Sequence, residues 1–180
     1  MPLTTPRELF VHELADAMSA EHIILEMLPE LAKEATDPEL QTALRDHEKE
    51  TRQHVKNLEA VFKALGEQPE PTTCHAAEGL RQEHQALHEE QPTPEILQMA
   101  NVTGAAKTES YEITSYTALV RMAKEQGERD VTRLLQENLD QEKAMAKRLD
   151  AVAKALGDEA KAAAKEGGDA RKAEEKRAGD

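Results

Sequence analysis

The sequence predicts an all-α protein, a bundle of four long helices, from three observations. Aromatic residues make up only 2% of the 180 residues and Trp is absent, so runs that favour strands are scarce. Ala, Glu, Leu, Lys, Gln and Arg dominate the composition, and all of them are strong helix formers. In four segments apolar residues recur in alternating steps of four and three, which is typical of a helix face inside a bundle. The length suits one domain.

The first two helices are predicted at residues 6–35 and 38–65. Thr5-Pro6 gives the first helix a capping residue followed by Pro at its first position. Asp37-Pro38 does the same for the second helix, and Gly66 ends it. Because the connection between them is so short, the two helices should be antiparallel.

A connection at residues 67–92 follows, which is far longer than a hairpin loop. Two Pro-containing breaks flank a short amphipathic helix predicted at about residues 75–89. The third and fourth long helices are predicted at residues 94–126 and 129–156. Two helix pairs joined by one long crossover are the ferritin-like arrangement, in which the crossover here carries an extra helix. The alternative is a simple up-down bundle in which the connection loops over one end.

The bundle is predicted to fill residues 1–157, with the fourth helix ending at Gly157. Residues 158–180 have Ala as their only apolar side chain, so a frayed helix or a disordered tail is expected there.

The charge and cysteine content exclude several classes of function. The net charge of −13 argues against nucleic acid as a partner, since phosphate binding requires a basic surface. A single cysteine, Cys74, excludes an intramolecular disulfide and a Cys-based zinc site. No apolar run approaches the ~20 residues of a membrane span, and the N-terminus lacks a secretion signal pattern. A cytoplasmic protein without a membrane partner is therefore expected.

Each long helix interrupts its apolar face with glutamate near mid-length. These residues are Glu21, Glu50, Glu109, Glu112 and Glu142. On the second helix His47 and His54 share a face, with Glu50 about 60° to one side. Since mid-length positions of an antiparallel bundle share one layer, five carboxylates and one or two imidazoles should converge at its centre.

Five buried carboxylates require protons or cations to offset desolvation and mutual repulsion. Carboxylate oxygens with imidazole nitrogens suit iron or manganese, so the sequence predicts a dinuclear metal site. Bridging roles are expected for Glu50 and Glu142. Either His47 or His54 could supply nitrogen, and each could instead be a hydrogen-bonded core residue. Zinc could occupy such a site in crystals.

Two other features have simpler interpretations. His84 and His88 have the i, i+4 spacing of metal-binding helices, but the sequence places no carboxylate beside them, so a second metal site is not favoured. Tyr116 is expected to pack in the core with its hydroxyl paired to a buried carboxylate.

Four strings of the sequence resemble the bacterial YciE/YciF-like ferritin-like proteins. They are LADAMSAEHIILEMLPELA, HEKETRQHVKNLEAVFKALG, TESYEITSYTALVRMA and LLQENLDQEKAMAKRL, which span most of residues 8–157. Within them ETRQHVKNLE (50–59) and ESYEITSY (109–116) are fairly specific. The resemblance implies a rubrerythrin- and ferritin-related bundle associated with stress responses.

The resemblance also implies ligands position by position. On the first helix the ligand position of the family is occupied by Glu21, and on the second by Glu50 together with His54 or His47. On the third helix the ligand positions are occupied by Glu109 and Glu112, and on the fourth by Glu142. Met145 stands where a Glu-x-x-His pattern has its histidine. The expected cofactor is two Fe ions, or Fe with Mn, and the expected partners are metal ions with O2 or peroxide.

Whether the protein is an enzyme stays open at the level of sequence. One hypothesis is an oxidase or peroxidase-type di-iron protein of oxidative or general stress defence. The alternative is a non-enzymatic stress or interaction bundle with a vestigial metal site. A homodimer is expected in either case, because such bundles often pair through an apolar flank.

Overall fold

The computed structural model describes residues 3–178, with side-chain surroundings for residues 3–162 and 165. All regular secondary structure within residues 3–178 is helical, which confirms the predicted all-α class. The helices are α1 (Pro6–Glu34), α2 (Pro38–Leu65), α3 (His75–Glu89), α4 (Pro94–Glu125) and α5 (Arg129–Ala178).

The capping residues act as the sequence predicts. The Thr5 side chain accepts from the backbone N–H of Glu8, and the Glu8 carboxylate accepts from the backbone N–H of Thr5, a reciprocal cap that satisfies two unpaired donors. Asp37 accepts from the Leu40 N–H at 2.7 Å at the start of α2. Gly66 ends α2 in the left-handed conformation, with φ of 71°.

The four long helices form a ring in which each packs against two neighbours. α1 contacts α2 and α4, and α5 contacts the same two helices from the opposite corner, while α3 lies outside the ring against α1 and α4. Arg7, at the start of α1, donates to the Leu65 carbonyl and to Gln126, so the end of α2 and the end of α4 meet there. α1 is therefore antiparallel to both α2 and α4.

The crossover runs along the length of the bundle. At the start of α3 the Cys74 backbone N–H donates to Ser19 Oγ at 2.9 Å, near the middle of α1. Further along α3, His84 lies 3.2 Å from Glu34 at the end of α1. α3 thus travels beside α1 and delivers the chain to the far end, where α4 begins. This confirms the ferritin-like arrangement and excludes a loop over one end.

Two apolar clusters flank the middle of the bundle. Near the start of α1, Phe10 and Leu14 pack with residues that include Phe62 and Leu135. Towards its end, the second cluster includes the residues Leu28, Leu40, Leu44, Val102, Met145 and Leu149. Glu21 lies on α1 between the two clusters, so any polar layer there is enclosed by apolar packing on both sides.

The predicted end of the fourth helix at Gly157 is wrong, because α5 continues to Ala178. Gly157 does not have the positive φ of a left-handed cap, and the Ala, Lys and Glu residues that follow favour helix. The division into a bundle at 1–157 and a tail at 158–180 stays a prediction, and its terminal residues 1, 2, 179 and 180 lie outside the described part. Within the described part, none of the helices has a stretch long and apolar enough to cross a membrane.

Candidate metal centre

Six of the seven predicted ligands converge at the middle of the bundle, in what is here called the central layer. Its members are Glu21, His47, His54, Glu109, Glu112 and Glu142. Each is at most 3% exposed, so the layer is enclosed by the four long helices. The seventh, Glu50, has a side chain that is 35% exposed and joins neither of the ligand groups in this layer.

The first group combines His47 from α2 with Glu109 and Glu112 from α4 and Glu142 from α5. One potential ligand atom from each residue lies within 4.8 Å of the others. His47 Nε2 is 3.3 Å from Glu109 Oε1 and 3.6 Å from Glu142 Oε2. These separations suit donor atoms that surround one ion at bond lengths of about 2 Å.

The second group combines Glu21 from α1, His54 from α2 and the same Glu142. His54 Nδ1 is 2.9 Å from Glu142 Oε1 and 3.4 Å from Glu21 Oε1. Glu142 therefore offers one oxygen to each group, the arrangement of a carboxylate that bridges two ions. The sequence assigned bridging to Glu50 as well, but Glu50 lies at the edge of the layer.

Both histidines of α2 enter the layer, one in each group, although the sequence left open which of them would ligate. They are seven residues apart, which keeps them on one helix face, and their ring centroids are 6.3 Å apart. With four glutamates and two histidines the layer has the same donor count as ferritin-like di-iron sites. The second histidine comes from α2 rather than from the position of Met145 on α5, and Met145 packs in the apolar core.

The opposite nitrogen of each imidazole has an acceptor beside it. His54 Nε2 is 2.7 Å from Gln141 Oε1, and His47 Nδ1 is 3.5 Å from Glu50 Oε2. Metal-binding histidines usually donate their other N–H to such an acceptor, which fixes the ring and its tautomer. With these acceptors on the outer side, His54 Nδ1 and His47 Nε2 face into the layer, where each would bind an ion once it has lost its proton. Sequence reasoning missed Gln141, since its neighbour Glu142 is the residue that faces inward.

A buried hydrogen-bond chain holds the first-helix carboxylate. The Tyr116 hydroxyl donates to Glu21 Oε1 and accepts from Asn138 Nδ2 at 3.0 Å. Asn138 Oδ1 in turn accepts from Asn57 Nδ2 at 2.7 Å. The pairing expected for Tyr116 is therefore present. The roles of Asn57 and Asn138 were not predicted, although Asn138 lies on the inward seam of α5 and is fully buried.

Seven buried atoms of the layer make no well-directed hydrogen bond, although His54 Nδ1 and Glu142 Oε1 are 2.9 Å apart. They are Glu21 Oε2, His47 Nε2, His54 Nδ1, Glu109 Oε2, Glu112 Oε2 and both oxygens of Glu142. Among the described residues, the cationic partners of these carboxylates are the two histidines, and no Lys or Arg pairs with them. An unsatisfied buried polar atom costs about 1–3 kcal/mol. Two divalent cations would satisfy all seven, so the donor set fits a dinuclear site.

The pKa values show how protons can balance the same charges. Burial and the neighbouring Glu142 raise the pKa of Glu109 to about 11, and they raise that of Glu112 well above its usual value. Burial opposes ionisation of Glu142, but contact with His54 and the charge of His47 lower its pKa. Burial lowers the pKa of His54, and the carboxylates of Glu142 and Glu21 outweigh it and raise it to about 10. Cations and protons therefore compete for this layer.

Apolar cavities lead from the α3 side towards the layer. A small one of about 20 Å³ touches His47 and Glu109. A larger one of about 430 Å³ lies between α1, α3 and α4, and the two share the lining residues Met27, Leu31, Ala105 and Thr108. The smaller cavity has room for about one water molecule, so only small molecules could reach the layer by this path.

Two pairs of antiparallel helices around a buried layer of carboxylates and imidazoles define a ferritin-like protein. Residues 5–163 match the family described as "Domain of unknown function (DUF892)", so the chain belongs to that family. It is 31% identical over 154 residues to Protein YciF of Escherichia coli strain K12, covering 85% of this chain and 93% of the relative.

Solved structures resemble the whole bundle. The E. coli stress protein YciF has a TM-score of 0.83 at 30% identity, covering 87% of this chain and 99% of that one. YcfI, a putative structural protein from Rhodopseudomonas palustris, has a TM-score of 0.79 at 35% identity, covering 82% and 94%. A protein from Xanthomonas campestris at 23% identity and a TM-score of 0.68, covering 87% and 99%, shares the fold.

Proposed function

We propose that the central layer binds two divalent metal ions, iron in the cell, and that the protein acts in oxidative or general stress defence. The observation that carries the proposal is the set of seven buried donor atoms without partners, centred on Glu142, which both ligand groups share. When bound, two Fe(II) ions supply the electrons that reduce O2 or peroxide. The stress role is supported by the E. coli relative YciF, which is described as a stress protein.

The chain's own residues would bind the two ions, orient the ligands and enclose the layer. Glu142 belongs to both ligand groups and would help to hold both ions. Gln141 and Glu50 hold the imidazoles with the correct nitrogen inward, and Tyr116 fixes the Glu21 carboxylate. The apolar clusters on either side keep bulk water out, and O2 or peroxide is small enough for the cavity beside His47.

Metal content of the full chain tests the binding proposal. Protein purified without chelator and loaded anaerobically with Fe(II) should hold about two ions at the central layer. E142Q removes charge from the shared ligand and should bind fewer than about half as many there, because both groups depend on it. E137Q is the matched control, since Glu137 is an exposed residue of the same helix, and it should bind as the wild type does. Fewer than about 0.2 ions per chain after loading would overturn the proposal.

Oxidation of Fe(II) separates an enzyme from a bundle with a vestigial site. Under the proposal, stoichiometric Fe(II) is oxidised faster by O2 or peroxide with the wild type than with E142Q, and E137Q is unchanged. Equal rates for all three proteins at full metal loading would instead favour the non-enzymatic stress or interaction bundle. The cytoplasmic location and the homodimer stay predictions.

A further inference from the structure

A second group of metal-binding side chains lies outside the central layer, where the crossover helix meets the end of α1. It consists of Glu34 from α1 and of His84 and His88 from α3, and it is here called the outer group. The two histidines are one helical turn apart, so their rings project from the same face. The carboxylate that the sequence could not place beside them is Glu34, which is fifty positions earlier in the chain.

The donor atoms of the outer group converge on one point. His84 Nε2 is 3.2 Å from Glu34 Oε2, His88 Nε2 is 2.9 Å from Glu34 Oε1, and the two Nε2 atoms are 3.4 Å apart. Two ligands bound at about 2.0–2.1 Å to a tetrahedral ion lie about 3.3 Å from each other. The observed separations therefore match those around a single small ion.

The surroundings of the group also suit a metal site. Asn101 Nδ2 donates to Glu34 Oε2 at 2.7 Å and holds the carboxylate towards the histidines. The side chains of Glu34 and His84 are each 14% exposed, whereas that of His88 is 40% exposed. An ion there would have three protein ligands on one side and water on the other, as zinc does in His2Glu sites.

We propose that Glu34, His84 and His88 form a site for one divalent transition-metal ion of the zinc class. Two imidazoles and one carboxylate are ligands that zinc accepts and that magnesium or calcium, which prefer oxygen, do not favour. The site is separate from the central layer, since none of its residues belongs to either central group. A bound ion would join α3 to α1 and fasten the crossover to the bundle.

Zinc titration of the full chain tests this site. The titration uses the E142Q variant, in which the central layer binds metal weakly and contributes little to the zinc that is measured. By calorimetry and equilibrium dialysis, E142Q should bind one Zn²⁺ more per chain than E142Q/H84Q/H88Q. The matched control is E142Q/H75Q, because His75 is an exposed histidine of the same helix that lies outside the group. It should bind as E142Q does.

Cobalt gives a second readout that reports the ligands themselves. Co²⁺ added to E142Q should produce the visible absorption of a low-symmetry site with nitrogen ligands. Adding H84Q and H88Q to E142Q should remove this absorption, whereas adding H75Q should leave it unchanged. The helical circular dichroism of these variants should equal that of the parent, so that a loss of absorption cannot come from unfolding. Equal zinc stoichiometry in the histidine double variant and in the H75Q control would show that the group is only a hydrogen-bonded cluster.

Discussion

The central layer and the outer group use the same side chains in opposite surroundings. Each brings imidazole nitrogens within about 3–3.6 Å of carboxylate oxygens. In the central layer every ligand is at most 3% exposed and seven donor atoms have no partner. In the outer group His88 is 40% exposed, and both oxygens of Glu34 have nitrogen partners.

This difference in burial decides how strongly the protein depends on metal. In the outer group His88 is 40% exposed and both oxygens of Glu34 have nitrogen partners, so its residues cost less than those of the central layer when no ion is bound. The ligands of the central layer are buried from bulk water, so its carboxylates must hold protons or cations. The arrangement in the central layer is therefore unfavourable without protons or cations. The residues of the outer group destabilise the fold less when no ion is bound.

The largest expected effect comes from removing metal from the central layer. In H84Q/H88Q, which leaves only that layer, iron at a thousand times its dissociation constant should stabilise the fold by at least about 4 kcal/mol, the contribution of one filled site. For a chain of this size that is about 8–16 °C in the unfolding temperature. Calorimetric scans with and without chelator measure it. Chelation should be slow, since the bundle must open, and E142Q should show a much smaller shift.

Identical unfolding temperatures for loaded and chelated H84Q/H88Q would contradict a metal centre in this layer. The rates at which a chelator removes metal from the two regions give a second test. In the wild type a chelator should take zinc from the outer group much faster than iron from the centre, because the outer ion faces solvent.

The two tyrosines of the chain provide the next test. Y116F removes the hydroxyl that donates to Glu21 and accepts from Asn138, so it should cost about 1–2 kcal/mol in denaturant unfolding. It should also weaken iron binding about tenfold, because Glu21 loses its orienting donor. Y111F is the control, since the Tyr111 hydroxyl donates to Asp16 outside the layer. Its iron affinity should equal that of the wild type, and an equal loss in both variants would refute a specific role for Tyr116.

Much of the fold could be predicted because it depends on local patterns. Helix caps at Thr5 and Asp37, Pro at first positions and alternating apolar steps predicted the first three long helices and the crossover helix almost to the residue, together with the start of the fourth long helix. The end at Gly157 failed because a Gly stops a helix only when the backbone adopts the left-handed conformation, and the surrounding residues favour helix strongly enough to continue.

The candidate site was partly predictable for the same reason. Glu21, Glu109 and Glu142 could be identified because each lies near the middle of its helix on the inward face. Helix geometry and antiparallel packing bring such positions into one layer of the bundle. Glu50 lies about 60° from the histidine face of α2, and that rotation is enough to move it from the layer to its edge.

The outer group could not be predicted from spacing at all. His84 and His88 are visible as a pair in the sequence, but their partner Glu34 is identified only once α3 packs along α1. Hydrogen-bond partners such as Gln141 are hidden for a related reason, since they depend on the rotation of a neighbouring helix and not on the spacing within their own.

The smallest expected effects on stability come from neutralising one carboxylate in each region. E109Q should change the unfolding free energy of the metal-free protein by less than about 1 kcal/mol, since burial and Glu142 raise the pKa of Glu109 to about 11 and the carboxyl that Gln replaces is already uncharged at neutral pH. E34Q should cost about 1 kcal/mol or less, because Gln keeps an oxygen that can accept from Asn101. Each variant should lose only the metal of its own region. E109Q should lose iron from the His47 group, and E34Q should lose zinc from the outer group. Urea unfolding of chelated protein with dialysis against each metal measures both, and loss of both metals in either variant would mean that the two regions are not independent.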